Sequence, residues 1–145
     1  MQSFSLLKTK HDLDQWRLQK DAPIYFVPTM GGLHHGHSEL IKQAQSSSRN
    51  KAGVVLVSVF VNPLQFGPNE DFNRYPRNLT NDLEVAALAG ANAVWAPSKD
   101  QIFPKGSSSH FSINVPPNLE SHLCGPQRPG HFAGVASVMV RLLAL

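Results

Sequence analysis

The chain has 145 residues, 41% of them hydrophobic and 16% charged, which allows one domain with a hydrophobic core and excludes a disordered protein. Its formal net charge of +3 is too small and too scattered to indicate nucleic-acid binding. Cys124 is the single cysteine, so no intrachain disulfide can form, and the apolar runs are too short for a signal peptide or a membrane span. We therefore expect a soluble, cytoplasmic protein that binds neither nucleic acid nor membranes.

The beginning of the chain predicts a helix followed by a strand. Residues 9–20 have amphipathic spacing, and Thr9 with Asp12 is spaced as a capping box. The apolar run Ile24–Val27 then predicts a buried strand that Pro28 ends.

The next segment predicts a helix and the central strand. Two glycines form a turn, and a helix with Leu40 and Ile41 on its apolar stripe begins near Gly36. The continuous β-branched run Val54–Val61 is typical of the middle of a parallel sheet. The loop 62–75 is long and rich in Pro, Gly and Asn, which favours a functional or mobile segment.

A third helix and a third strand follow. Asn81 and Glu84 have the spacing of a capping box, and Gly90 is expected to stop the helix. Val94–Ala96 predicts a short strand. The alternating run Phe111–Val115 predicts a half-exposed strand.

The last apolar stripe predicts a helix from about Gly134 that reaches Leu145 without a stop signal. The alternation of strands and helices predicts an α/β fold with a doubly wound parallel sheet. Ligands bind such sheets beyond the carboxyl ends of the strands. Residues 28–37 and 62–66 follow the first two predicted strands directly, so we expect the site there.

Two histidines at the start of a helix carry the strongest chemical signal. His34 and His37 are three residues apart, so both rings can project from one side. A helix N-terminus offers N–H groups and partial positive charge to phosphate, and Gly31, Gly32 and Gly36 let the backbone approach a ligand. Imidazoles beside a polyphosphate could donate hydrogen bonds to oxygens that gain charge during attack at phosphorus.

Other interpretations of these histidines remain. They could be zinc ligands, although no third ligand has convincing spacing, or simply exposed side chains. The chain has no G-x-G-x-x-G after the strand and no G-K-[ST], which argues against a dinucleotide dehydrogenase and a P-loop NTPase.

Four segments resemble motifs of the pantothenate synthetases, in the family's order. Residues 28–37 (P-T-M-G-G-L-H-H-G-H) are similar to P-T-M-G-x-L-H-x-G-H, whose H-x-G-H element the nucleotidyltransferase superfamily shares. Residues 59–66 are similar to V-F-V-N-P-x-Q-F, residues 71–77 to D-x-x-x-Y-P-R, and residues 128–135 to R-P-G-H-F-x-G-V. The resemblance implies a Rossmann-like nucleotidyltransferase fold.

The resemblance implies an ATP site in the first of these segments. His34 and His37 would be the catalytic residues at the phosphates, and His37 would be the proton donor of the adenylation step. The ATP-binding residues would be Met30, Gly31, Gly32, Leu33, His34, His35, Gly36 and His37.

The resemblance also implies a pocket for pantoate and β-alanine. Gln65 would hold pantoate through its amide, and Asn62, Tyr75 and Arg128 would line the same pocket. Apart from the resemblance, Asn62 fits an ordinary turn and Tyr75 a half-buried aromatic residue. Arg128 could meet a carboxylate or phosphate, or could pin the loop before the last helix, and both interpretations stay open.

Two further polar residues, His131 and Asp82, need separate interpretation. We expect a structural hydrogen bond for His131. Asp82 could meet a Mg²⁺ ion carried by ATP, but an Asp in the first turn of a helix needs no metal to explain it, so no metal ligand is assigned.

The resemblance implies an ATP-dependent ligase that joins pantoate to β-alanine through pantoyl adenylate, with Mg²⁺ accompanying ATP and a homodimeric assembly. The family's later G-x-K-D and M-S-S-R-N motifs are absent, so we expect residues 1–145 to be an incomplete N-terminal nucleotide- and pantoate-binding domain, truncated before a C-terminal domain. The alternatives are another H-x-G-H nucleotidyltransferase, or a nucleotide-binding module without full activity.

Overall fold

The computed structural model describes residues 4–67, 70–106 and 110–145. The chain forms two compact units, the first from Met1–Val61 and Pro76–Ser98 and the second from Asn62–Tyr75 and Lys99–Leu145. All strands of the described residues lie in the first unit.

The first unit is built on a four-stranded parallel sheet. Its strands are β1 (Ser5–Leu7), β2 (Ile24–Thr29), β3 (Val54–Val59) and β4 (Ala93–Trp95), in the spatial order β1-β4-β3-β2. Each neighbouring pair is parallel. This confirms the predicted α/β fold with a parallel, Rossmann-like sheet.

The strand boundaries differ from the predicted ones in ways that the pairing explains. β2 continues through Pro28 to Thr29 and pairs with β3 along its whole length. Within the described sheet β2 is an edge strand, where the missing N–H of proline is tolerated. β3 ends at Val59 rather than Val61, and β4 begins one residue earlier than predicted. β1 was not predicted.

The first helix has the predicted cap. Asp12 N–H donates to Thr9 Oγ1 at 3.0 Å, and Thr9 N–H donates to Asp12 Oδ2 at 2.9 Å, which confirms the capping box. Leu13 and Trp16 form its buried face. The long helices of the unit are α1 (Lys10–Leu18), α2 (His35–Arg49) and α3 (Leu79–Ala89).

The cap predicted for the third helix is wrong. Asn78 is the N-cap of α3 and its side chain accepts from Asn81 N–H at 3.2 Å, so the helix begins at Leu79. The predicted stop is confirmed, because Gly90 ends α3 in the left-handed conformation with φ +98°.

The hydrophobic core of the first unit lies where α2 and α3 cover the sheet. Ile41 is fully buried in it, whereas Leu40, predicted on the same stripe, is 54% exposed. Its buried members are Val27, Leu33, Ile41, Val55, Val57, Ala86, Ala89, Ala91 and Val94.

The second unit consists of short helical segments and one longer helix. Three single turns of 3₁₀-helix span Pro63–Gln65, Phe72–Arg74 and Gly125–Gln127. The α-helices are α4 (Lys99–Ile102), α5 (Pro117–Glu120) and α6 (His131–Ala144).

Two expectations for this unit are wrong. α6 begins at His131, three residues before the predicted start, because Gly130 is its N-cap in the left-handed conformation (φ +77°). No strand forms at 111–115; there, Ile113 N–H donates to Ser137 Oγ of α6 at 2.9 Å instead of to a neighbouring strand.

Candidate active site

In the first unit, His34 and His37 lie together at the start of α2. His34 is the N-cap residue, and its Nδ1 accepts a hydrogen bond from Gly36 N–H at 3.1 Å. His34 N–H in turn donates to His37 Nδ1 at 3.3 Å, and the ring centroids are 4.2 Å apart. Each ring is therefore held by the helix end that it caps.

These hydrogen bonds determine which ring nitrogens carry protons. A backbone N–H donates only to an unprotonated nitrogen, so in this geometry Nδ1 of each ring is the acceptor and Nε2 is the nitrogen that can donate. Burial, followed by the neighbouring His34, lowers the pKa of His37, and the charge of Asp82 opposes this shift. His37 is thus a neutral imidazole near pH 7 that offers its Nε2–H as a donor.

The loop before α2 is held by a carboxylate from α3. Gly31 and Gly32 have φ values of +83° and +64°, a conformation that favours glycine. Asp82, 1% exposed, accepts from Gly32 N–H at 3.1 Å and from Leu33 N–H at 2.7 Å. Thr29 Oγ1 accepts from Gly31 N–H at 3.2 Å. Three successive backbone donors of the loop therefore have acceptors within the unit.

This arrangement limits which groups can face a phosphate. The backbone N–H groups of Gly32, Leu33, His34 and Gly36 all have acceptors inside the protein. The N-terminus of α2 still contributes its partial positive charge. The Nε2–H groups of the two rings are therefore the donors best suited to an incoming phosphate.

In the second unit, Asn62 is completely buried and all its polar side-chain atoms are used. Its Nδ2 donates to Gln65 Oε1 and to Gly134 O, both at 3.1 Å, and its Oδ1 accepts from Leu64 N–H at 3.2 Å. Because Leu64 N–H can only donate and Gly134 O can only accept, the two backbone groups fix the orientation of the Asn62 amide.

The orientation of Asn62 sets that of Gln65. Since Gln65 Oε1 accepts from Asn62, Gln65 Nε2 is the end of the amide left to donate. The Gln65 backbone carbonyl accepts from Arg128 at 2.9 Å and from His131 Nδ1 at 3.1 Å. The structural hydrogen bond predicted for His131 is therefore confirmed.

Arg128 uses its donors within the second unit. Besides the Gln65 carbonyl, it meets Glu70 Oε1 at 2.7 Å and His131 Nε2 at 3.2 Å. A hydrogen bond from Gly67 N–H, followed by one from Arg128, lowers the pKa of Glu70. Of the two interpretations of Arg128, these contacts favour the one in which it pins the loop before the last helix, here by tying it to Gln65 and Glu70.

A cavity of about 190 Å³ lies within the second unit beside these residues. Tyr75 is half-buried, with its ring edge-on to Phe66 at a centroid distance of 5.6 Å. The residues that line the cavity are Leu64, Gln65, Phe66, Gly67, Glu70, Arg128, Pro129, Gly130 and His131.

No group of three His, Cys, Asp or Glu side chains that could hold a metal ion occurs among residues 4–67, 70–106 and 110–145. In the same ranges, none of the helices has the length and apolar character needed to cross a membrane.

Comparison with known proteins assigns the chain to a family. The sequence model described as pantoate-beta-alanine ligase matches residues 5–145. The chain belongs to the pantoate–β-alanine ligase family. A bifunctional pantoate ligase/cytidylate kinase of Prochlorococcus marinus (strain MIT 9313) is 59% identical over 133 residues, which are 92% of this chain and 26% of that protein.

Solved structures of the family have the same fold. The enzyme of Thermus thermophilus matches with a TM-score of 0.81 at 39% identity, over 97% of this chain and 48% of that one. The pantoate–β-alanine ligase of Francisella tularensis, in complex with beta-gamma ATP and β-alanine, matches with a TM-score of 0.86 at 36% identity, over 98% of this chain and 53% of that one. The chain thus spans about a quarter of that curated relative and about half of these solved chains.

The residues that the ligase family motifs single out fall into two local groups. The first group, which consists of the glycine loop, His34 and His37, lies in the first unit. Met30, which is half-buried, and His35, which is exposed, belong to the same segment. The group around Gln65 lies in the second unit.

Sequence reasoning did not assign the supporting residues of either group. Asp82 was explained by the first turn of its helix, although Asn78 already caps that helix. Gly134 belongs to a recognised motif, and the reason for glycine there is packing, since a Cβ would collide with the Leu64 carbonyl oxygen. Glu70, the partner of Arg128, stood in a loop without a local signal.

Proposed function

We propose that the protein takes part in the ATP-dependent condensation of pantoate with β-alanine to pantothenate, as a nucleotide- and pantoate-binding domain. In the first step a pantoate carboxylate oxygen bonds to the α-phosphorus of ATP, and the bond from that phosphorus to pyrophosphate breaks. In the second step the β-alanine nitrogen bonds to the acyl carbon of pantoyl adenylate, AMP leaves, and the nitrogen releases a proton to solvent.

The imidazole pair at the start of α2 carries this proposal. Nδ1 of His34 and Nδ1 of His37 are both occupied by backbone N–H groups, so each ring can turn an Nε2–H towards phosphate oxygens. Neutral donors of this kind stabilise charge that develops on phosphate oxygens, and they need no reorganisation during the reaction.

The Gln65 amide supports the assignment of a hydroxy acid as the second substrate. Asn62 holds its Oε1, so Nε2 can donate to a carboxylate or hydroxyl oxygen of pantoate. Arg128 and His131 hold the backbone of the same residue and so preserve its position. The relative from Francisella tularensis, in complex with beta-gamma ATP and β-alanine, supports ATP and β-alanine as the other substrates.

We expect Mg²⁺ to arrive with ATP rather than to occupy a three-ligand site of the described residues. Both oxygens of Asp82 accept backbone N–H groups, and no cluster of three acidic or histidine ligands occurs in the described ranges. An ion that accompanies ATP would therefore be held chiefly by the phosphates. The family resemblance supports a homodimer, and we also propose a cytoplasmic location.

The proposal is tested by calorimetry with ATP and by pyrophosphate release from the same chain. We expect ATP binding, and release that depends on pantoate and not on other short hydroxy acids. Release with unrelated acceptors would favour another nucleotidyltransferase. Binding without release under any condition would favour a nucleotide-binding module, and absence of ATP binding would refute the nucleotide site itself.

Two substitutions in the chain connect these readouts to the site. His37→Ala should lower pantoate-dependent pyrophosphate release by roughly 10²-fold, the scale for loss of one transition-state donor. His11→Ala is the matched control, because His11 is an exposed histidine on α1. An equal effect of both substitutions would contradict the role of the α2 imidazoles.

A further inference from the structure

The carboxylate of Asp82 contacts the loop that precedes α2, although Asp82 lies 49 residues or more after that loop in the sequence. We propose that Asp82 is a positioning residue of the nucleotide site, whose carboxylate holds the Gly31–Leu33 loop by its backbone N–H groups and thereby orients the imidazole pair of His34 and His37. The inference rests on the proposed function in so far as these rings meet the phosphates of ATP.

The loop has the conformation of a backbone anion site, and Asp82 supplies the anion. Gly31 and Gly32 both have positive φ values. In such turns successive N–H groups can form a concavity that attracts negative charge. Asp82 Oδ2 accepts from Gly32 N–H at 3.1 Å and Oδ1 accepts from Leu33 N–H at 2.7 Å. The second distance is short, as expected for a hydrogen bond to an ionised acceptor.

The close fit of the loop around this carboxylate requires glycine. A Cβ atom on Gly31 would lie 2.9 Å from Asp82 Oδ2 and 3.0 Å from Val59 Cγ1. Neither neighbour can easily move, because Asp82 is bound at both oxygens and Val59 is part of β3. A Cβ atom on Gly32 would lie in open space, so at this position glycine is favoured only by the positive φ value.

Asp82 does not cap its own helix. Asn78 caps α3 through Asn81 N–H, and the Asp82 carboxylate turns away from that end to meet residues 49 and 50 positions earlier. It is 1% exposed, and among the described residues it forms no ion pair. Burial of a carboxylate is costly unless it is hydrogen-bonded, so the two N–H groups are what keeps it there.

The held loop leads directly to the imidazole pair. Leu33, whose N–H is bound and whose side chain is 5% exposed, precedes the N-cap residue His34. Its fixed position therefore sets where α2 begins and where both rings point. The same carboxylate also acts through space, since its charge raises the pKa of His37 against the lowering by burial and by His34.

The test compares the parent chain with Asp82→Asn. This substitution keeps the shape but removes the charge, and its NH₂ group would face one of the two loop N–H groups. We expect faster hydrogen exchange at Gly32 and Leu33, a lower pKa of His37 by NMR titration, and an ATP dissociation constant raised about tenfold or more, the scale for losing a hydrogen bond to a charged group.

Two control variants separate positioning from stability. Asn78→Ala removes the cap of the same helix and lowers stability, without touching the loop. Asp14→Asn removes a surface carboxylate of α1 that pairs with Lys10. Both should leave the pKa of His37 and the ATP affinity at parental values. If Asn78→Ala changes them as Asp82→Asn does, the effect is one of stability and the inference is wrong.

The outcomes also distinguish this inference from the proposed function. A parent chain that binds no ATP refutes the nucleotide site, while exchange and the His37 titration still decide whether Asp82 holds the loop. If Asp82→Asn shows the parental hydrogen-exchange rates at Gly32 and Leu33 and the parental pKa of His37, the inference is overturned, whatever ATP binding shows. If that variant does not fold, exchange in the parent decides, since unprotected amides at Gly32 and Leu33 would mean that the two hydrogen bonds are absent.

Discussion

Replacement of Asn62 by aspartate should destabilise the second unit. The variant keeps the oxygen that accepts from Leu64 N–H but replaces the Nδ2 donor with an oxygen. Gly134 O and Gln65 Oε1 then lose their donor. One oxygen of the new carboxylate would then be buried against these two oxygens without a donor, which costs about 1–3 kcal/mol and more for a charged group, so we expect a loss of about 2–4 kcal/mol in the free energy of unfolding at neutral pH.

The loss in Asn62→Asp should shrink in acid. Asn62 is 0% exposed, so burial and the facing oxygens would raise the pKa of a carboxyl group at this position. With a folded pKa above the unfolded one, the folded variant binds more protons, and its stability relative to the parent rises as pH falls from about 7 to 5. The protonated carboxyl can also donate to one of the facing oxygens.

Urea unfolding followed by far-ultraviolet circular dichroism measures both effects in the parent, in Asn62→Asp and in Asn118→Asp. Asn118 is an exposed asparagine on α5, and its replacement should change stability by less than about 0.5 kcal/mol. If Asn62→Asp were as stable as this control at neutral pH, or lost further stability in acid relative to the parent, the Nδ2 hydrogen bonds would not exist as described.

Three other outcomes follow from the two groups of residues. Gly134→Ala should lower the free energy of unfolding by about 1–3 kcal/mol, because its Cβ would meet the Leu64 carbonyl oxygen; urea unfolding measures this, and a neutral result would contradict that packing. Gln65→Glu keeps an acceptor for Asn62 but loses the Nε2 donor, so calorimetry should find pantoate affinity reduced about tenfold with ATP affinity retained; equal weakening would exclude a pantoate clamp. In the protein without ligand, NMR titration should place the pKa of His37 below its ordinary value of 6.5, because burial disfavours the charged ring. The contribution of His37 to stability is then present above pH 6.5 and is lost as pH falls through the lowered pKa. A titration midpoint of His37 at or above 6.5 would contradict a neutral ring at pH 7.

The elements that the sequence predicted well are those with local signals. The capping box of Thr9 and Asp12 lies within one helical turn, and Gly90 stops α3 through its own φ value. The run that forms β3 is continuous and β-branched, so its buried, central position could be predicted without knowledge of its neighbours.

The failures have non-local causes. β1 has three residues, too few for a recognisable pattern, and is a strand because Leu6 pairs with Val94 of β4. The segment 111–115 alternates like a strand, but no strand lies beside it among the described residues, and Ile113 donates to a serine of α6 instead. Alternation predicts a segment with one apolar and one polar face, but such a segment becomes a strand only where a neighbouring strand can pair with it.

The same distinction holds for the candidate site. Two histidines at a helix start could be recognised from spacing and the neighbouring glycines, because all of them lie within one short segment. Their tautomer depends on hydrogen-bond geometry, and the contact from Asp82 to Leu33 spans 49 residues. The role of Asn62 likewise depends on Gly134, 72 residues away.

The occupied loop gives a physical reason why this motif needs histidines. In a phosphate-binding glycine loop the backbone N–H groups themselves cradle the phosphates. Here the N–H groups of Gly32 and Leu33 already donate to the buried carboxylate of Asp82. A phosphate at that point would therefore be repelled by the charge of the carboxylate and would find both N–H groups occupied. Under the proposed function, the phosphates of ATP would therefore be bound by side-chain donors beyond the loop. Nε2 of His34 and Nε2 of His37 would be those donors, because Nδ1 of each ring already accepts a backbone N–H.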